Sequence, residues 1–171
     1  LLAENEKRND WLADVLWKKG IIYRELNDVK KAITSLFDAL EMAEKNENEL
    51  LKSKIYNSLG AVYTNQENYT DAEECFKKSL AICLKLDDKM SLADAYLNMG
   101  GINKIIGKYE AAVKFTNDAL KIYLELEDKD GQAYVYSTLA GIFNSDDQNL
   151  DSAIFYHNKA LQIFLEFDNT R

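Results

Sequence analysis

Apolar positions along the chain fall at helical spacing, and the whole pattern repeats every forty residues. Leu12, Leu16, Ile22, Tyr23 and Leu26 share one face of a helix; Val29, Ile33, Leu36, Phe37 and Leu40 share one face of the next. Gly20, Gly60 and Gly100 are forty apart and Ala140 falls on the next beat, within similar blocks at 12–23, 53–64, 93–104 and 133–144. A second set of similar blocks lies at 32–40, 72–80, 111–120 and 153–161. Repetition at this period predicts helix pairs stacked into a solenoid, a form that points to binding rather than chemistry. The first helix of each pair is expected near 11–26, 50–66, 90–106 and 131–144. The second is expected near 28–46, 69–87, 109–127 and 150–167.

The links carry the same beat. Asn48, Asp88 and Asp128 each precede a first helix, where a side-chain oxygen can accept from free backbone N–H groups. Asn27-Asp28, Asn68, Gly107 and Asn149 occupy the turns within the pairs and tolerate tight geometry. The last pair carries one extra residue in 145–149. Matching Leu92-Ala93-Asp94 to Leu12-Ala13-Asp14 makes residues 1–10 the tail of a preceding second helix. The expected organisation is one array over 1–171, with units at 11–49, 50–89, 90–130 and 131–171. Its opening in mid-pattern at Leu1-Leu2, without Met, reads as a piece of a longer chain.

Composition narrows the function. There is no proline and only seven glycines, which removes most sheet turns and favours an all-α fold. Net charge is −8, with 21 basic residues scattered among 29 acidic ones, so a nucleic-acid surface is not expected. The apolar runs are too short to span a membrane. Cys75 and Cys83 lie eight residues apart in one predicted helix, about 12 Å along its axis. That is too far for a disulfide, and unpaired structural thiols favour a reducing compartment. The expectation is cytoplasmic, with the periplasm open if a signal precedes this segment. The sole histidine, His157, has no nucleophile and orienting acid at an identifiable spacing, so it reads as a packing or surface residue. Glu41, Glu44, Glu47 and Glu49 with Lys45 read as a solvated helix face, and Asp146-Asp147 lacks the pattern of a calcium loop. No cofactor, metal or enzymatic activity is expected.

The units resemble the tetratricopeptide repeat, whose pattern runs W-x2-L-G-x2-Y, then A-x3-F, then A. The second unit fits best, with Tyr56 in the tryptophan slot followed by Leu59, Gly60, Tyr63, Tyr69, Ala72, Phe76 and Ser79. The first carries Leu16, Gly20, Tyr23, Ala32, Leu36 and Ala39; the third carries Tyr96, Met99, Gly100, Gly107, Tyr109, Ala112 and Ala119. The fourth carries Tyr136, Leu139, Ala140, Ala153 and Ala160. The departures are Lys19 before Gly20, Thr116 and His157 in the slot of Leu36 and Phe76, no closing proline, and a period of forty rather than thirty-four. The longer unit is similar to the subgroup found in bacterial signalling regulators, peptide-pheromone sensors and polarity scaffolds. The resemblance implies a right-handed superhelical solenoid of antiparallel helix pairs.

The resemblance also implies a concave groove lined by first helices that binds a peptide or partner segment. Its positions are Asp14, Trp17, Lys18, Ile21 and Arg24, then Lys54, Asn57, Ser58, Ala61 and Thr64. The third unit supplies Asp94, Leu97, Asn98, Gly101 and Lys104; the fourth supplies Tyr134, Ser137, Thr138, Gly141 and Asn144. Within each set the spacing of three and four residues keeps the side chains on one face. Asn98 can pair with a peptide backbone, Ala61, Gly101 and Gly141 leave room, and Trp17 and Tyr134 can anchor an apolar group. Lys18, Lys54 and Lys104, with Asp14 and Asp94 among them, do not form the paired basic clamp that grips chaperone tails. Two other readings stand beside the groove. One is self-assembly through terminal apolar faces around Leu161, Phe164 and Phe167. The other is a regulatory segment of a signalling enzyme or transcription regulator whose output domain lies elsewhere.

Overall fold

The computed structural model describes the backbone of residues 2–145 and 149–168, and the side chains of residues 9–145 and 149–166. Among the described residues there are eight helices and no strand: α1 (Leu2–Glu25), α2 (Val29–Lys45), α3 (Glu49–Asn65), α4 (Tyr69–Cys83), α5 (Lys89–Ile105), α6 (Tyr109–Glu125), α7 (Lys129–Ser145) and α8 (Leu150–Asp168). The fold is all-α and built of helix pairs. The chain forms two compact units, Leu1–Ser91 and Leu92–Arg171.

The turns follow a common chemistry. At the ends of α1, α2, α3, α5 and α6 one residue takes the left-handed conformation: Asn27, Glu47, Glu67, Gly107 and Glu127. Its N–H bonds back three residues, as in Asn27 to Arg24, and the next N–H bonds back five, as in Asp28 to Tyr23. This is the Schellman closure of a helix end. After α1, α2, α3 and α6 the residue following the left-handed one caps the next helix, and Asp88 caps α5 without one before it. The side chains of Asn48, Asp88 and Asp128 accept from the N–H groups of Leu51, Ser91 and Gly131, all at 3.0 Å. All three were expected from the sequence.

In the first unit, α2 packs on α1 and α3, and α3 also on α4. Ala13, Ala32, Leu36, Ala39, Leu40, Ile55, Leu59 and Val62 form the core, with Leu16, Trp17 and Tyr23 against it. Each fully buried Leu or Ile contributes about 1.5–3 kcal/mol. The glycine beat marks the closest crossings: a Cβ at Gly20 would stand 2.6 Å from Leu36, and one at Gly60 would stand 2.6 Å from the Phe76 ring. In the second unit, α7 packs on α6 and α8 around Ala112, Ala119, Tyr123, Val135, Leu139 and Ile142. Here a Cβ at Gly100 would strike Thr116, and one at Gly131 would strike the Tyr123 ring. Thr116 in the aromatic slot is therefore small enough to lie against Gly100, and its hydroxyl donates to the Ala112 carbonyl at 2.7 Å.

Several boundaries differ from expectation. Residues 2–10 do not end a separate helix: α1 runs unbroken from Leu2, because nothing between residues 9 and 12 breaks helical geometry. α4 stops at Cys83 rather than near 87, and no left-handed closure follows it. The apolar residues of α1 also split between two faces. Leu16 and Tyr23 pack inward, whereas Leu12, Ile22 and Leu26 are exposed, as is Phe37 of α2. Asp146, Asp147 and the inserted residue lie in a stretch outside the described residues, as does the side chain of Phe167.

Candidate functional site

The face expected to bind is most developed where α1 and α3 meet in the first unit. Trp17 is half-buried, and its indole N–H donates to the Ser58 hydroxyl at 2.8 Å. Ser58 in turn donates to the Lys54 carbonyl at 3.0 Å. The Lys54 ammonium lies 5.8 Å from the centre of the Trp17 ring, within cation–π range. Beside this cluster Asp10, Asp14, Asn48, Leu50, Leu51 and Lys54 line an open cleft of about 160 Å³. Asp10 accepts from the side-chain amides of Asn46 at 3.1 Å and Asn48 at 3.4 Å. Asp14 pairs with exposed Lys18 at 2.7 Å. The Oδ1 of Asn57, on the same helix, is buried without a hydrogen-bond partner.

This arrangement corrects part of the expected site. Ser58 is buried, and its hydroxyl serves Trp17 and its own helix, so it supports the face rather than contacting a ligand. Trp17 spends its N–H on Ser58, leaving the ring as the surface it offers. Thr64 and Thr138 direct their hydroxyls to carbonyls four residues back, as such residues do within helices. Ile21 and Ala61 are partly buried, and Arg24 lies 3.9 Å from Glu25.

In the second unit, Asn98, Ser137 and Thr138 are partly buried and Tyr134 is exposed. Leu97 packs against the core, which removes it from the face. Open space surrounds the position of a Cβ at Gly101, so a ligand can approach the backbone there. The room at Gly141 is filled instead: the Lys104 ammonium lies 3.2 Å from the position a Cβ would take. Asp94 accepts from the Tyr123 hydroxyl at 2.5 Å. Burial and that carboxylate both hold the Tyr123 phenol protonated to high pH.

Two participants escaped sequence reasoning. Asp10 was assigned to a different helix, although it stands four residues before Asp14 and therefore on the same face. Tyr123 carries no signal of its own until Gly131, eight residues later, is seen to lie under its ring.

The remaining candidate chemistry is structural. Cys75 and Cys83 are buried free thiols, and burial pushes the Cys75 pKa up to about 11, which suppresses the thiolate. His157 is exposed on α8. Among the described residues no three metal-ligating side chains converge, and no helix is long and apolar enough to cross a membrane.

Comparison with known proteins agrees with this architecture. A profile of the tetratricopeptide repeat matches residues 52–125, and a second such profile matches residues 13–46. Over 70 residues the chain is 40% identical to response regulator aspartate phosphatase I of Bacillus subtilis (strain 168), covering 41% of this chain and 18% of that protein. The crystal structure of the apo form of RapI is similar with a TM-score of 0.82 at 20% identity, covering 92% of this chain and 57% of RapI. A signal transduction ATPase with numerous domains and a tetratricopeptide repeat sensor, from Pyrococcus horikoshii, is similar with a TM-score of 0.74 at 26% identity. That match covers 97% of this chain and 25% of the ATPase. The chain thus corresponds to a minor or partial share of each relative's length.

Proposed function

The chain belongs to the tetratricopeptide-repeat family, and from that premise we propose that it is a protein-interaction module that receives an extended segment of a partner on its first helices. The observation that carries this reading is the α1–α3 cleft, with the Trp17 ring, the Lys54 ammonium and the Asp10 and Asp14 carboxylates around it. Such a lining offers an apolar plane, donors and acceptors within one side chain's reach, which suits a peptide. In the second unit Asn98 beside open Gly101 offers the same kind of backbone pairing.

The relatives favour a regulatory setting. One is named a response regulator aspartate phosphatase and another carries a repeat sensor on a signalling ATPase. We assign this chain the recognition part of such a protein and place no reaction in it, because the lining of its face is that of a binding surface. The four units read as one array within a longer regulator.

Peptides selected from a random display library against the 171-residue chain test the reading. Selected peptides are expected to bind an Asp14→Ala/Lys54→Ala variant at least about tenfold more weakly, roughly 1.4 kcal/mol. Circular dichroism and the melting temperature of that variant should stay close to wild type. Equal affinity for both proteins would move the ligand off the α1–α3 face.

A further inference from the structure

In the second unit one cation is drawn partly out of water without a counter-charge. The Lys104 side chain is partly buried, and its ammonium lies 3.2 Å from the position a Cβ on Gly141 would take, so it lies against α7. Among the described residues no carboxylate pairs with it. The other partly buried lysines among them each rest on a partner. Lys52 pairs with Glu49 at 2.7 Å, Lys54 lies over the Trp17 ring, and Lys159 lies over the rings of Tyr136 and Phe155. Arg24, which holds the place of Lys104 in the first repeat, lies 3.9 Å from Glu25. Withdrawing a charge from water costs free energy unless a partner restores it, and at Lys104 that partner has to come from outside.

The space beside the ammonium suits a peptide. Asn98, Gly101 and Lys104 stand three residues apart on one face of α5. Nothing lies within 4 Å of a Cβ position at Gly101, so a backbone can cross the helix there. On the α7 side the nearby hydroxyls are spent: Thr138 donates to the Tyr134 carbonyl and Ser145 to the Gly141 carbonyl, both at 2.9 Å.

We propose that Lys104 binds the side-chain carboxylate of an aspartate or glutamate within a partner segment whose backbone crosses Gly101 and pairs with the Asn98 amide. This rests on the reading of the first helices as a peptide face, and it adds the charge that the peptide carries. A single ammonium matches a single carboxylate. A phosphate group, with close to two charges at neutral pH, is met by clustered cations instead. Asn98 and Lys104 are about 9 Å apart along the helix axis, the span of two or three extended residues. The acidic residue therefore falls two or three positions from the one that Asn98 holds. In a chain of net charge −8 this contact sets the register of the segment rather than drawing it in from a distance.

Random peptides displayed between constant flanks, so that no chain end is free, are selected on the 171-residue chain and then synthesised with amidated C-termini. The selected peptides are expected to share one Asp or Glu position. Replacing that residue by Asn or Gln should weaken binding about tenfold on wild type and have no further effect on Lys104→Gln. Lys104→Gln should keep the melting temperature of wild type. Gly141→Ala retains the charge but displaces the ammonium, and should weaken the acidic peptides while leaving their amide versions unchanged. Peptides without a common acidic position, or an acidic position whose loss costs the same on Lys104→Gln, would overturn the proposal and leave the peptide face standing. A carboxylate preference seen only in a second library with free C-termini would overturn it too, by assigning Lys104 to a chain end. A chain that selects no peptide at all would remove both the proposal and the reading beneath it.

Discussion

Gly100 and Gly101 are neighbours in α5 with opposite surroundings. A Cβ on Gly100 would stand 2.2 Å from the Thr116 Oγ1, and Thr116 is fully buried and tied to the Ala112 carbonyl. A Cβ on Gly101 meets nothing within 4 Å. Alanine at either position gains up to about 1 kcal/mol of helix propensity. At Gly100 overpacking costs about 1–3 kcal/mol, and the rigidity of Thr116 places it toward the upper end. Gly100→Ala should therefore lower the melting temperature and Gly101→Ala should raise it. Two shifts of the same sign would contradict this account of the crossing. The forty-residue beat made Gly100 legible in the sequence, but it marked Gly101 only as room for a ligand. The same limit applies to Ser58 and Gly141, whose spacing placed them on the right helices. Their hydroxyl and their space are taken by Trp17 and Lys104, which only the packing reveals.

At the scale of elements the caps were the most readable feature. Asn48, Asp88 and Asp128 stand forty apart and each accepts from the N–H three residues on. The left-handed residues were half legible. Asn27 and Gly107 are residue types that favour that conformation, but Glu47, Glu67 and Glu127 are not, and there the closure bonds impose it. At α6 the capping position holds Lys108, whose side chain makes no cap hydrogen bond. Asp28 and Asn68 occupy the equivalent positions of α2 and α4 and both accept there. Lys108→Asn should therefore stabilise the chain by about 0.5–1 kcal/mol. The mirror change Asn68→Ala should destabilise it by a similar amount. Denaturant midpoints at constant slope measure both, and a loss of stability in Lys108→Asn would show that the lysine does more for the α5–α6 turn than an amide can.

Stability in the molecule as a whole is local. Among the described residues most helices in contact are neighbours along the chain, with α1 against α3 and Lys104 of α5 beside Gly141 of α7 reaching one helix further, and the contacts gather into two units. This organisation follows from what the repeat can encode. Alternating small and large residues specify how a helix meets the next one, so fold class and element order were legible from periodicity alone. The start of α1 was not, because matching Leu92-Ala93-Asp94 to Leu12-Ala13-Asp14 carried over a helix boundary that residues 9–12 do not themselves mark. A chain held by neighbour contacts has no reason to unfold all at once. Gly131→Leu tests this, since the side chain would have to enter the space of the Tyr123 ring, which is 2% exposed, between α6 and α7. Native-state hydrogen exchange of this variant should show protection falling in α6, α7 and α8. The amides of α1, α2 and α3 should exchange as slowly as in wild type. Uniform loss of protection across both units would mean that they unfold as one, and that cooperativity reaches further than neighbour contacts carry it.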